Sequence, residues 1–242
     1  KDPRSWMMRA HSQTAGVSLT AQQPDNNIAR TAIQALAAVL GGTQSLHTNS
    51  KDEAYQIPSE GAIKIAVRTQ QILALENRVA DIVDPLAGSY YVENLTNRLE
   101  EESESLLRQV LDRGGMIESI EDGFIQRQIA DSSAAYQKAL EEKREFIVGV
   151  NVNVDPEEEL PFEPFELDPG LGERQIKRTR SIRSLRNAAE HSAALKEVRH
   201  AAVNNINTMP AVTRAIRASA TVGEICDVMR DVFGEYNAPL VY

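Results

Sequence analysis

Short unbroken apolar runs and longer stretches with apolar residues every three to four positions take turns along this chain, a pattern that predicts strands set among helices. The first run, Trp6-Met7-Met8-Arg9-Ala10-His11, is too brief for a helix and predicts a buried strand. A loop from Ser12 to Pro24 comes next, and Asp25 or Asn26 then caps a helix in which Ile28, Ala29, Ala32, Ile33, Leu36, Ala37 and Leu40 recur at helical spacing. Gly41-Gly42 stops it, and Thr43 to His47 predicts a second strand. Strand, helix and strand joined this tightly imply parallel neighbours with a right-handed crossover, a βαβ unit whose helix lays its apolar face on the sheet.

Helices dominate the rest of the chain. Pro58 and Ser59 open one from Glu60 to about Asn77, with Ile63, Ala66, Val67, Gln70, Ile72 and Leu73 toward one side. A longer one runs from Ser89 to about Arg113 and ends at Gly114-Gly115; two more span Ile117 to Asp122 and Gly123 to Glu142. Phe146 to Val150 predicts a last short strand. Pro156, Pro161, Pro164 and Pro169 among Glu157, Glu158 and Glu159 predict an extended linker over 151–172 and a domain boundary there. Beyond it, a basic helix is expected from Glu173 to Asn205, then two short helices, Met209 to Ala218 and Thr221 to Phe233. Thr221 and Glu224 are spaced as a capping box in the last. The expected organisation is 1–150, a linker over 151–172, and a helical segment over 173–242, in a mostly helical α/β fold.

Composition narrows the classes. The 242 residues are 42% hydrophobic and 25% charged, which excludes wholesale disorder. A net charge of -9 repels polyanions, so nucleic acid is not an expected partner. No apolar stretch reaches the length of a membrane span, and no signal-peptide pattern opens the chain, so no membrane partner is expected. Cys226 is the single cysteine, so an internal disulfide is excluded and a reducing, cytoplasmic setting is the default expectation. The acidic run Glu100-Glu101-Glu102-Ser103-Glu104 reads as a solvated helix face. The basic helix reads as exposed and paired to it, with a polyanion site as the second reading. An opening Lys1 rather than Met is what a chain cut from something longer would show.

In parallel α/β proteins the loops at the carboxyl ends of strands build the ligand site. Two segments hold that position: Arg9-Ala10-His11-Ser12-Gln13-Thr14-Ala15-Gly16, and Gly42-Thr43-Gln44-Ser45-Leu46-His47-Thr48-Asn49-Ser50. Both end in His, Gln, Ser and Thr, neutral donors and acceptors that suit an amide-rich ligand. Plainer roles exist for each: His11 and His47 can satisfy nearby backbone, Gly16 can serve a turn, and Glu53 can cap a loop or face solvent. No nucleophile elbow, phosphate-cradling loop or zinc-binding pair of histidines is present. Spacing alone stops at a polar ligand site.

Those two segments, with Asn26-Asn27-Ile28-Ala29-Arg30-Thr31-Ala32-Ile33 and Asp84-Pro85-Leu86-Ala87-Gly88-Ser89-Tyr90-Tyr91, resemble the acyl-CoA mutase family that includes methylmalonyl-CoA mutase. Thr221 to Ile225 and Val232 to Glu235 resemble the family's segment before its cobalamin domain. The resemblance implies a (β/α)8 TIM barrel in which adenosylcobalamin supplies radical chemistry for carbon-skeleton isomerisation of an acyl-CoA, with methylmalonyl-CoA as the first expected substrate. Isobutyryl-CoA, ethylmalonyl-CoA and hydroxyisobutyryl-CoA are the alternatives. It places His11 and Gln13 near the acyl-CoA and the reacting groups, Gln44 and Ser45 on the CoA chain, and Gly16, Glu53 and Ala54 toward the cobalamin; His47 shares the motif without an assigned role.

The departures from the family pattern are informative. Its Tyr, Arg and His that grip the acyl group, and its Asp-x-His-x-x-Gly cobalt-ligand motif, have no counterpart in this sequence. Only two strands suit the barrel wall, so an incomplete barrel, its last strands and helices, is expected. The expected partners are the N-terminal barrel portion, a cobalamin-binding domain or subunit that brings the cobalt ligand, and a GTPase chaperone; the chain alone is expected to be inactive. The second function class is a noncatalytic chain that stabilises another mutase chain.

Overall fold

The computed structural model describes residues 2–7, 9–157 and 168–237, which fall into two compact units, one up to 157 and one from 168. The first unit is built on a two-stranded parallel sheet, β1 (His11–Gln13) and β2 (Ser45–His47), in the register His11↔Ser45, Ser12↔Leu46, Gln13↔His47. Helix α1 (Asn26–Leu40) crosses between the strands, and α2 (Glu60–Gln71) comes after β2, running on into a wider π turn at Ile72–Glu76. The βαβ unit is therefore present.

Strand β1 lies later than the apolar run predicted. Pro3–Trp6 forms a 3-10 turn capped by the Asp2 side chain, Met8 lies outside the described residues, and pairing begins only at His11. Ala10 sets the start: its N–H is held by Gln44 Oε1 at 2.8 Å and its carbonyl by the Gln44 N–H at 3.2 Å. Helix α1 ends where expected, because Gly42 takes φ +84, a left-handed conformation that glycine adopts without strain. Its buried residues, however, are Asn27, Thr31 and Ala35, while Ile33 is exposed. On α2 the buried residues are Ala62, Ala66 and Thr69, and Ile63 and Val67 face outward. Helices α1 and α2 pack on one another, and the residues they bury are small or polar while the larger aliphatics face outward.

Ser89 caps α3 (Tyr90–Asp112), whose acidic run pairs with its own helix, Glu102 with Arg98 and Glu104 with Arg108, each one turn apart. Helices α4 (Met116–Glu121) and α5 (Phe124–Glu141) come next. The strand expected at Phe146–Val150 does not form. Gly149 at φ +84 turns the chain, Asn151 Oδ1 accepts the Ile147 N–H at 2.7 Å, and one isolated bridge joins Val148 to Val152.

In the second unit, α6 (Gly170–Leu185) starts inside the stretch expected to be linker, of which 158–167 lies outside the described residues. The single basic helix expected from Glu173 to Asn205 is two. Arg186 is extended, at ψ 151, and Asn187 caps α7 (Ala188–Val203) by accepting the N–H groups of Ala189 and Glu190. Helices α8 (Met209–Arg217) and α9 (Val222–Phe233) pack on α7 through Ala194, Val198, Ala201, Ala211, Ala215 and Ile225. Alanines at this seam let the helix axes approach closely. Thr221 and Glu224 form the predicted capping box.

Candidate functional site

Residues two apart on a strand share a face, so the register brings His11, Gln13, Ser45 and His47 together on one side of the sheet. All four are exposed, while Ser12 and Leu46 between them point to the other side and are partly covered. His11 Nδ1 and Ser45 Oγ lie 2.8 Å apart across the strand pair. The face is polar and free of carboxylates and permanent cations, so it offers hydrogen bonds rather than fixed charge.

At the carboxyl ends of both strands the loops are stitched by buried amides. Thr14 donates its N–H to the His47 carbonyl at 3.0 Å, and the Asn49 N–H reaches Thr14 Oγ1 at 2.9 Å. The Asn49 side chain, 2% exposed, donates from Nδ2 to the Thr14 carbonyl at 3.0 Å and accepts from Gln13 Nε2 at 2.9 Å. Gly16 sits beside it: a Cβ there would stand 3.0 Å from Asn49 Nδ2 and 3.5 Å from Glu53 Oε1. Glu53 and Ala54 are exposed on the loop after β2.

Helix α1 holds these loops from beneath. Asn27, fully buried, accepts the Thr20 N–H at 3.1 Å and donates from Nδ2 to the carbonyls of Thr20 and Lys51, both at 2.9 Å, so one side chain joins the loop after β1 to the loop after β2. Gln34 accepts the Ala15 N–H at 2.7 Å and donates to Ser18 Oγ at 2.6 Å. Asp52, also buried, organises the loop that bears Glu53 through Ser50, Gln56 and the backbone of Ser59.

The structure thus brings His11, Gln13 and Ser45 to one face and Gly16 and Glu53 to one notch, with Ala54 adjoining Glu53. Gln44 stands apart: its amide is spent on the Ala10 N–H and, at 2.6 Å, on the Gly42 carbonyl. With Ser45, Val39, Leu46, Gln70 and Leu73 it lines a small cavity of about 190 Å³. Sequence alone does not single out Asn49, Thr14, Asn27 or Asp52. For Asn27 and Thr31 a signal exists, polar residues one turn apart on the same face of the helix. Among the described residues no group of three or more His, Cys, Asp or Glu is placed to hold a metal ion, and no helix is long and apolar enough to cross a membrane.

A parallel strand pair with a polar face and amide-stitched loops at its carboxyl ends stands where α/β proteins bind their ligands. The chain belongs to the methylmalonyl-CoA mutase family, whose model matches residues 1–235. It is 44% identical over 245 residues to the 2-hydroxyisobutanoyl-CoA mutase large subunit of Aquincola tertiaricarbonis, covering 100% of this chain and 43% of that protein. It is 42% identical over 241 residues to the methylmalonyl-CoA mutase of Escherichia coli, covering 99% of this chain and 34% of that one. For the mitochondrial methylmalonyl-CoA mutase of Mus musculus the figures are 40% over 240 residues, 98% and 32%. The chain therefore spans about a third to two fifths of these relatives. Kinship with mutases makes it isomerase-related.

Proposed function

We propose that this chain supplies two wall strands and the following helices of an adenosylcobalamin-dependent acyl-CoA mutase barrel, and acts with the rest of that barrel and a cobalamin-binding domain or subunit. Methylmalonyl-CoA, interconverted with succinyl-CoA, is the substrate proposed, because that substrate names the Escherichia coli and Mus musculus relatives. The observation that carries the reading is the shared face of His11, Gln13, Ser45 and His47 beside the Gly16–Glu53 notch. A two-stranded sheet with an exposed polar face is marginal alone, and further strands would enclose that face as the lining of a chamber.

When bound, the cofactor supplies the radical; the protein's share is position and exclusion of water. Gly16 fits that group because the position lacks a Cβ beside an exposed loop, and Glu53, followed by Ala54, borders the same notch. His11 and Gln13 hold the acyl end of the substrate by neutral hydrogen bonds, and Ser45 orients His11 while facing the CoA chain. Gln44, already bonded to backbone, shapes the wall near that chain through its remaining donor.

The test is reconstitution with the remaining barrel and cobalamin-binding parts, followed by adenosylcobalamin-dependent turnover of methylmalonyl-CoA. Gln13→Ala is expected to cost about a hundredfold in kcat/KM, roughly 3 kcal/mol of lost positioning. Activity indifferent to both Gln13→Ala and Ser45→Ala would overturn the reading.

A further inference from the structure

The geometry points to Asn49 as a positioning residue that holds the Gln13 amide in one orientation toward the ligand. This rests on the site proposed above and deepens it. A carbonyl oxygen has no proton to give, so the Thr14 carbonyl, 3.0 Å from the Asn49 side chain, selects its nitrogen end. That choice turns Asn49 Oδ1 toward Gln13, 2.9 Å away, and an acceptor there selects the nitrogen of Gln13 in turn. One backbone carbonyl thereby orients two amides in series.

The alternative orientations are closed. Asn49 is 2% exposed, so no water stands ready to satisfy a reversed amide, and its backbone N–H is tied to Thr14 Oγ1. Thr14, 5% exposed, is itself anchored by its N–H to the carbonyl of His47 on the neighbouring strand. A Cβ at Gly16 would lie 3.0 Å from the same nitrogen, so only glycine leaves Asn49 its place. Gln13, by contrast, is exposed, and without Asn49 its amide would be free to turn over.

The consequence is a fixed presentation to the ligand. With one Nε2 hydrogen engaged by Asn49, Gln13 holds Oε1 and its second Nε2 hydrogen in set directions, one acceptor and one donor for polar groups of the acyl-CoA.

The test uses the assembled mutase and measures the equilibrium Kd of methylmalonyl-CoA together with the melting temperature, for Asn49→Ala, Asn49→Asp, Gln13→Ala and the double variant Asn49→Ala/Gln13→Ala. Asn49→Ala and Gln13→Ala are each expected to weaken binding about tenfold, the scale of one oriented hydrogen bond, and the double variant no more than either alone. Asn49→Asp keeps an acceptor for Gln13 but sets an oxygen against the Thr14 carbonyl. It is expected to lower the melting temperature while holding Kd within about threefold of wild type. Losses that multiply in the double variant would show that Asn49 acts without Gln13 and overturn the proposal, as would binding by Asn49→Asp as weak as by Asn49→Ala. If Gln13→Ala alone leaves Kd unchanged, the site assignment fails first. Should Asn49→Ala not assemble, the folded Asn49→Asp variant decides.

Discussion

Asp52 accepts the backbone N–H of Ser59 at 2.9 Å, seven residues further along, and this bond closes the loop that bears Glu53 and Ala54. The Ser50 hydroxyl donates to the other carboxylate oxygen at 2.6 Å and Gln56 Nε2 lies 3.3 Å from Asp52. Burial alone would raise the Asp52 pKa, but the hydrogen bonds from Ser50, Ser59 and Gln56 together outweigh it and hold the group below the usual carboxylate value.

A depressed folded pKa means the unfolded chain takes up its proton first as pH falls. The stabilisation from Asp52 is therefore whole above the ordinary carboxylate range and lost as pH drops through the lower folded value. Asp52→Ala is expected to cost about 1–3 kcal/mol at neutral pH in urea unfolding, with wild type and variant converging only in strong acid. An equal gap at all pH values would assign the loss to packing instead.

Gly16→Ala tests space rather than backbone freedom. The added methyl would sit 3.0 Å from Asn49 Nδ2, and Asn49 cannot retreat without releasing Thr14. A loss of about 1–2 kcal/mol is expected, and on the proposed function weaker adenosylcobalamin binding as well. Melting curves and cofactor titration separate the two, since a turn glycine without a site role would show only the first.

In the second unit Arg186 grips Glu224 through two hydrogen bonds of 2.8 Å, both side chains less than a fifth exposed, with His191 Nε2 3.4 Å from the same carboxylate. The Arg186 guanidinium, opposed by burial and helped by Thr221, holds Glu224 far below the usual carboxylate range. Removing Arg186 leaves Glu224 only the half-exposed Arg183 at 3.5 Å as a cation, so Arg186→Met is expected to cost roughly 1–3 kcal/mol, and Glu224→Gln added to it to recover part of that loss. By the same sign as for Asp52, the pair's contribution persists through mild acid and goes only in strong acid. Additive losses in a double-mutant cycle would mean the two residues act separately.

How much of the fold is legible in the sequence depends on what each signal measures. Caps and stops are local, so Ser89, Thr221 with Glu224, and Gly41-Gly42 mark true helix ends. Hydrophobic runs measure burial in the whole protein, and there they mislead: the run from Trp6 suggests a strand, whereas pairing starts at His11, where the strand's outward side chains are polar and exposed. Ile33, Ile63 and Val67 fit a helical stripe, yet the residues buried are Asn27, Thr31, Ala62 and Ala66. Arg186-Asn187 is invisible as a break because neither residue disrupts a helix by itself; the Glu224 pair and the Asn187 cap do it together. His11, Gln13 and Ser45 are legible from motif and strand position, but the amide chain through Asn49 and Thr14 needs the register.

Ser45→Ala separates site order from stability in the opposite sense to Asp52. Ser45 and His11 are exposed, and their 2.8 Å contact joins two side chains that the fold does not need to bury. Truncation is expected to change stability by less than about 0.5 kcal/mol, because no cavity is left and no polar group is stranded away from water. Ring position is another matter. The Ser45 hydroxyl is the contact from the neighbouring strand that holds Nδ1, and with it gone the imidazole is free to rotate and the choice of tautomer is lost. On the proposed function, methylmalonyl-CoA turnover should fall about five- to tenfold with most of the change in kcat, because disorder in the ring withdraws positioning more than ground-state contacts. Ser45→Thr, which keeps the hydroxyl, should restore most of it. A fall confined to KM, unrelieved by Thr, would instead leave Ser45 serving the CoA chain alone and His11 to be held by the substrate itself.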